Sequence, residues 1–499
     1  MIYLYAFLPI LLVLLIMLVL RRGSHEAGFA GWVCGVAIAA LAFGLNWDVL
    51  KVSQLKGLYL SLNVLAVLWP ALVLYYLVDQ AGGIRAIALA LQEMIPEQGW
   101  LLVIQAWMLS ALIENLAGFG LPIAIVAPML ILMGVTPVRA VASAAIGHSW
   151  AVSMGGMALA FRTMMDLTGM DAAEVFPTAA LLLGVSALLT GLAVAFLLGQ
   201  LRYWRRIVLL SIVVAAVQFL VGWCGLIPLS SFAATIAGIF GGFLLTKRQP
   251  GSSRKVTLSP QLRGGLLSYG FLFFCVIIVS LIRPLNQWLS GVRLFSNFPE
   301  VATSTGVITA AGPGFIFKPF THPGVWILFS AVFAAVTLPR VNGFKSAGVR
   351  KALKSAFTAG LPASIGTIFM IGLSSLMEHT GMTIIIAQGL SEYVGSIYPL
   401  IAPLVGTLGA FATGSNTNSN ILFGQMQKGV ADLLKISPVV LLAAQTTGGA
   451  LGSMIAPAKL AVGGSTNSTK GREGDVLRIT LPIGIACVLI VGIIALLLR

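Results

Sequence analysis

Charge is what this chain has least of. Only 9% of its 499 residues are Asp, Glu, Lys or Arg, where soluble domains carry about a quarter. A chain this long would suggest several soluble domains, but no polar stretch is long enough to be one. Cysteine is scarce too. Cys34, Cys224, Cys275 and Cys487 are scattered in or beside apolar runs. They form no CxxC pair, which argues against a disulfide framework or a zinc site. Acid is scarcer than base, 15 residues against 30, leaving a net charge of +15. In a soluble chain that balance would suggest nucleic acid. Here the basic residues sit in short loops, where the positive-inside rule accounts for them, so no nucleic-acid partner is expected. HExxH and GxGD motifs are missing, and His148 has only the adjacent Ser149 as a candidate nucleophile. No enzyme, metal site or cofactor is read from the chain.

What is present is apolar surface. The chain is 58% hydrophobic, with mean hydropathy +1.00. Runs of about 20 apolar residues recur, each long enough to cross a bilayer. The expected fold is an all-α polytopic membrane protein, one integral domain over 1–499. Spans are read near 2–20, 27–45, 58–78, 100–114, 138–160, 178–199, 207–226, 229–246, 266–288, 323–339, 360–377, 395–412, 437–457 and 477–498. Shorter pieces at 118–134 and 414–430 read as re-entrant hairpins, so the count is about 12–14. The first run has no basic start and no small-residue cleavage site, and reads as a retained helix rather than a signal peptide.

The loops 247–263 and 340–354 are basic with no acid, and Arg202, Arg205 and Arg206 form a third cluster. All three are expected in the cytoplasm. The stretch after Phe161, with Asp166, Asp171 and Glu174, is expected outside. The localisation that follows is multi-pass in a bacterial inner membrane. The lipid bilayer is one partner, and a homodimer is compatible with the sequence.

A faint internal repeat runs through the chain. "YYLVDQAGGIRAIALALQE" (75–93) lies over "SSLMEHTGMTIIIAQGLSE" (374–392) at a shift of 299. Asp79 meets Glu378, Gly82 meets Gly381 and Glu93 meets Glu392. The same shift lays 143–151 over 442–450. Chance similarity between greasy helices is the plain alternative. Read as a repeat, the cores fall at 58–160 and 360–460, and a repeat ending in a broken helix points to a transporter's midplane site.

Polar residues interrupt the apolar pattern at two places. In "LGAFATGSNTNSN", Thr413, Ser415, Asn416, Thr417, Asn418, Ser419 and Asn420 occupy seven of eight positions. Within hydrocarbon every backbone N–H and C=O needs a partner, so a break survives only where protein buries it or water fills a cavity. Gly414 tolerates the turn. The amides and hydroxyls after it suit helix caps, or a small polar solute, and free N–H groups at a half-helix start favour a carboxylate. One or two such residues per helix would be interhelical glue; seven together read as a site.

The first half has its own break, "IENLAGFGLPIAIVAPML" (113–130). Glu114 lies deep in apolar context, where a carboxylate usually marks a proton or ion path; a capping or ion-paired role is the alternative. Gly118 and Gly120 bracket Phe119 and offer close backbone approach. Pro122 and Pro128 are expected to prevent a regular helix. Beyond it, His148 and Ser149 sit mid-span in "AAIGHSWAVSMGGMALAF", and a histidine there can titrate near neutral pH or sit as a neutral core residue. The matching segment near 443–463 carries Gln445, Thr446, Thr447 and Ser453. Lys459 follows, placed either to attract an anion or to snorkel to the interface.

At these residues the sequence resembles the L-lactate permease family, within the ion transporter superfamily. "IENLAGFGLPIAIVAPML" is similar to that family's E-x-x-A-G-F-G-x-P-x-A stretch, and "LGAFATGSNTNSNILFG" to its G-S-[ND]-T-x-S-N stretch. "AAQTTGGALGSMIAP" and "GREGDVLRITLP" (471–482) resemble its C-terminal blocks in the same order. The resemblance implies a secondary transporter carrying lactate, glycolate or related 2-hydroxy monocarboxylates with protons, built from inverted repeats with hairpins. One departure stands out. Where the family pattern reads roughly I-A-N-T-A-P-V-A-F-G, this chain reads "IGHSWAVSMG" (146–155), placing His148 and Trp150 at the expected wall of the site. A bulkier or sulfonated hydroxy acid is therefore an alternative cargo.

The expected mechanism puts a small carboxylate between the two breaks. Asn416, Asn418, Ser419, Asn420, Gln445, Thr446 and Thr447 are candidate donors together with Ser149 and Ser415. Gly118, Phe119 and Gly120 supply the facing backbone, and Glu114 or His148 carries the proton. Sodium coupling is the rival, since Asn and Ser oxygens and unwound carbonyls suit Na⁺. A channel is disfavoured, because no single helix repeats polar residues along a continuous face.

Overall fold

Asn, Asp and Ser open several of the long helices, each by accepting a hydrogen bond from a backbone N–H that the first turn leaves free. Asn46 caps the helix Trp47–Gln80 (α3) through Val49 N–H. Asp171 caps Ala172–Leu197 (α10), Ser259 caps Pro260–Leu281 (α13) and Ser415 caps Asn416–Leu434 (α19). The structure is a computed structural model describing residues 2–20, 22–116, 121–246, 257–313, 316–460 and 472–499. Among these, 11 helices are long and apolar enough to cross a membrane, and two shorter apolar helices accompany them. The fold is the polytopic helical one expected; one of the 11, Leu201–Leu244, is 44 residues long and holds two helices, Trp204–Val221 and Ser230–Leu244.

The remaining elements, in order, are Ile2–Leu18 (α1), Ser24–Ala42 (α2), Gly83–Met94 (α4), Gln98–Ile104 and Ser110–Leu116 (α5 and α6, continuous through a π turn at Gln105–Leu109), Leu121–Leu132 (α7), Pro137–Ser149 (α8) and Gly155–Thr168 (α9). After α10 come Trp204–Val221 (α11), Ser230–Leu244 (α12), α13, Arg283–Leu289 (α14), Pro323–Asn342 (α15), Ser346–His379 (α16), Met382–Val394 (α17), Tyr398–Thr413 (α18), α19, Pro438–Gly452 (α20) and Glu473–Leu498 (α21). Between α14 and α15 the chain makes two small antiparallel ladders, residues 297–298 with 312–313 and 301–302 with 308–309. Hydropathy gave no sign of them.

Element lengths recur along the chain. Trp47 and Ser346 open helices of 34 residues each, and Ala172 and Glu473 open helices of 26. The offsets are 299 at α3/α16 and 301 at α8/α20 and α10/α21. Helix start against helix start therefore lays His148 over Gly449, two positions from the register read at 143–151. The helices α3 and α16 run antiparallel. Ser375 Oγ donates to Ser53 O near one end, and Trp69 Nε1 donates to Ser364 Oγ farther along. Gly57 lies against Gly372 at this seam, where the missing side chain lets the backbones approach.

The described parts of the basic segments collect at one end. Asn342 reaches Ala81 O, Thr257 N–H reaches Glu93, and Arg206 pairs with Glu97 at 2.7 Å. At the opposite end Thr305 bonds Phe43 O, Asn63 bonds Asp166, and Lys428 bonds Thr168 O. Proline proves less disruptive than expected in α7. Pro122 falls in its first turn, where no N–H is needed, and the helix continues through Pro128.

Candidate functional site

The breaks meet at the centre. After α8 the chain turns through Trp150–Met154 and enters α9 with three consecutive left-handed residues, Gly156, Met157 and Ala158, at φ of 54, 63 and 59. For the two that carry side chains this costs roughly 1–2 kcal/mol each, so the surroundings hold them there. In the second half Gly414, at φ 68, ends α18 and Ser415 starts α19. The helix α20 stops at Gly452 and helical backbone resumes at Pro457.

A hydrogen-bonded knot joins the halves. Asn416 Nδ2 donates to Ser153 Oγ at 2.9 Å and to Thr446 O at 3.2 Å. Ser153 Oγ donates to Thr446 O at 2.7 Å. Asn420 Nδ2 reaches Ala160 O and Thr446 Oγ1, both at 3.0 Å. These bonds give the buried amide and hydroxyl groups at the breaks partners, as burial in hydrocarbon requires.

Beside the knot lies a cavity of about 100 Å³. Its polar wall is Glu114, Ser415, Asn416, Thr417 and Lys459; Gly155, Gly156 and Gly414 bring backbone to it, and Val67, Leu68 and Ala71 of α3 close one side. Lys459 Nζ stands 3.7 Å from Glu114 Oε1, with the two side chains only 7% and 5% exposed. That is close enough for an ion pair and too long for an N–H···O hydrogen bond. Among the described residues Glu114 Oε2 has no hydrogen-bond partner. The cavity thus offers a fixed cation, a carboxylate that is poorly satisfied, and amide and hydroxyl groups. Such a wall suits one small carboxylate.

The expected site residues divide into three groups. Glu114, Ser415 and Asn416 line the cavity. Gly118, Phe119 and Gly120 lie outside the described residues. The rest pack behind the wall. His148 is fully buried on α8, with Nδ1 on Ala144 O at 2.8 Å, and the charges of both Glu114 and Lys459 reach it. Ser149 bonds Ile146 O. Neither His148 nor Trp150 faces the cavity; Val152 does. Ser419 donates to Gly406 O, Gln445 to Ser419, and Gln427 to Gln445, stitching α18, α19 and α20 together. Asn418 and Thr447 are buried, and among the described residues Thr447 Oγ1 has no partner.

Lys459 is buried inside the protein beside Glu114 rather than exposed at a helix end. The apolar wall from α3 carried no sequence signal, being one stripe of a long greasy helix. Among the described residues no group of His, Cys, Asp and Glu is arranged to hold a metal.

A larger cavity of about 380 Å³ opens towards the end that carries Asn63 and Thr168. Arg162, Met165 and Asp166 line it, so α9 faces the central cavity with its N-terminal half and the larger one with its C-terminal half.

The L-lactate permease family profile matches residues 3–248 and 261–499. Relatives include the L-lactate permease of Streptococcus iniae, 26% identical over 447 residues, covering 87% of this chain and 91% of that one. The L-lactate permease of Escherichia coli K12 is 26% identical over 98% of this chain and 94% of its own. The glycolate permease GlcA of the same organism is 25% identical, covering 99% and 95%. Among solved structures, the YdaH transporter of Alcanivorax borkumensis, described as having an unusual topology, superposes with a TM-score of 0.56 at 14% identity. The match covers 95% of this chain and 98% of that one, a likeness of fold.

Proposed function

This chain belongs to the L-lactate permease family, and on that premise we propose that it carries lactate- or glycolate-type 2-hydroxy monocarboxylates together with protons. It is a multi-pass protein of the bacterial inner membrane and a permease by family. The observation that supports the finer reading is the buried lysine facing a carboxylate across a cavity sized for a few heavy atoms. An unpaired buried cation costs several kcal/mol, so its place is beside an anion. Relatives named for lactate and glycolate supply the cargo class.

The two series of elements related by offsets of 299 to 301 act, in this reading, as inverted repeats with cores at 58–160 and 360–460. The antiparallel course of α3 and α16 supports it. Access to the cavity alternates as the knotted breaks move against the long helices. The basic end is cytoplasmic by the positive-inside rule. Glu114 or His148 carries the proton. Lys459 supplies a positive charge where a sodium-coupled carrier would need a bound ion, which favours protons over sodium.

The test is uptake of radiolabelled L-lactate and glycolate into proteoliposomes, with a proton gradient imposed or collapsed and with sodium replaced by choline. Saturable uptake that follows the proton gradient and ignores sodium is expected. Uptake that requires sodium at equal pH would overturn the coupling. Transport of neither acid by folded protein would overturn the cargo.

A further inference from the structure

We propose that Lys459 is shared: it holds Glu114 when the cavity is empty and the solute's carboxylate when the cavity is full, and the exchange is what loads the proton. The proposal rests on the carboxylate-carrier reading above and assigns its coupling to one pair.

Three observations carry it. First, the pair spans the two halves, Glu114 on α6 before the first break and Lys459 after the second, and both line the same cavity. Second, the pair is loosely made. At 3.7 Å there is no hydrogen bond between them, and among the described residues neither Glu114 Oε2 nor Lys459 Nζ has a hydrogen-bond partner. Buried ion pairs offset their desolvation only when further hydrogen bonds complete them. This one is held together yet leaves ammonium donors facing the cavity for another carboxylate. Third, the surroundings add little charge. The α3 wall is apolar, and residues 414–417 and the first turn of α9 carry no titratable group. On the other side of Glu114 its neighbour Asn115 bonds Thr235 of α12. Among the described residues only His148 on α8 and Lys459 are titratable groups facing Glu114.

Charge balance then sets the stoichiometry. The empty cavity holds Lys459 as ammonium and Glu114 as carboxylate, and is neutral. A solute carboxylate entering alone would leave one buried negative charge uncompensated, at a cost of several kcal/mol. If Glu114 releases Lys459 and takes one proton from the medium, the filled cavity is neutral again. The solute carboxylate sits on Lys459, Glu114 is a carboxylic acid able to donate to the solute or to Asn416, and no covalent bond changes. Solute without proton, or proton without solute, leaves a net charge in the cavity, so neither moves alone.

The experiment measures L-lactate and glycolate binding to the purified full chain by calorimetry in buffers of different ionisation enthalpy, which reports protons taken up per solute. Wild-type protein should take up about one proton per solute near neutral pH. E114Q should bind with no proton uptake and with an affinity that no longer depends on pH. H148N should retain the uptake. K459M should bind roughly a hundredfold more weakly, and K459R should recover part of that loss. Proton uptake that persists in E114Q, uptake that vanishes in H148N but not in E114Q, or K459M binding like wild type would each overturn the proposal. Wild type that binds neither acid overturns the choice of cargo instead. The pair is then decided by thermal unfolding without solute. K459M leaves a buried carboxylate unpaired and should melt below the E114Q/K459M double variant; a double variant melting no higher would overturn it.

Discussion

Ser153 and His322 show how single side chains hold the site and its outer end. Ser153 sits at the α8–α9 break and bonds both Asn416 and Thr446. S153A should cost about 1–2 kcal/mol, the usual loss when a buried polar partner is removed. It should lower the unfolding temperature and slow uptake together, because the break is positioned by the same bonds. His322 precedes the candidate span Pro323–Asn342 and caps α15: its Nδ1 accepts from Gly324 N–H at 3.2 Å, which requires that nitrogen to be unprotonated. Burial, and then the nearby Arg162 charge, pull its pKa down to about 3. The unfolded chain, titrating at about 6.5, binds more protons between those values. Stability is therefore full above pH ~6.5 and is lost as pH falls towards ~3. Melting curves at falling pH should show a loss of about 1–2 kcal/mol by pH 5 that is missing in H322N, which keeps a capping oxygen and cannot titrate. At this scale the sequence was partly legible. Gly414 and Ser415 could be named as turn and cap because their roles are local. The Glu114–Lys459 pair could not, since its partners lie on different halves. That His148 and Trp150 lie behind the lining of this cavity was not legible either, because the rotation of a half-helix is set by its packing, not by its own sequence.

Among elements, the seams between hairpins and broken helices are made of glycine. A Cβ on Gly147 of α8 would overlap the Ala106 carbonyl, and one on Gly448 of α20 would overlap the Pro403 carbonyl. The two glycines stand 301 positions apart, the same offset as the starts of their helices. Helices in lipid gain most of their association from such close packing, and backbone cannot yield as a side-chain tip can. G147A and G448A should each destabilise by several kcal/mol, read as loss of monodisperse protein on size-exclusion after mild heating. Alanine at Gly270 or Gly474, where a Cβ meets nothing within 4 Å, should be tolerated. The shift of 299 was read from matched acids and glycines around 75–93 and 374–392, and the starts of α3 and α16 share it. The register at the broken helices was not legible, because apolar letters align about equally well two positions apart; the helix starts at Pro137 and Pro438 fix it.

Across the whole molecule, the breaks form one unit and the long helices another. The knot of Ser153, Asn416, Asn420 and Thr446 ties α9, α19 and α20 to each other, and Gln425 adds a bond to Leu167 O. The helices α2, α3 and α16 form a separate seam through Trp32, Gln54, Gly372 and Ser375. The two units face each other through a shared apolar cluster, Met370, Leu373 and Leu376 of α16 with Ile421, Phe423 and Met426 of α19, through the cavity, and through the bond from Asn63 Nδ2 of α3 to Asp166 Oδ2 of α9 at 2.8 Å. If access alternates by one unit sliding past the other, that bond must break in each cycle. Cysteines at Asn63 and Asp166, in a chain with the four native cysteines replaced, should bind Hg²⁺ between them and stop uptake, with activity returning on adding a thiol reductant. Single cysteines should be insensitive. Transport that continues with the bridge in place would mean that α3 and α9 travel together, and the moving boundary would have to lie elsewhere, between α3 and its partners on the far side.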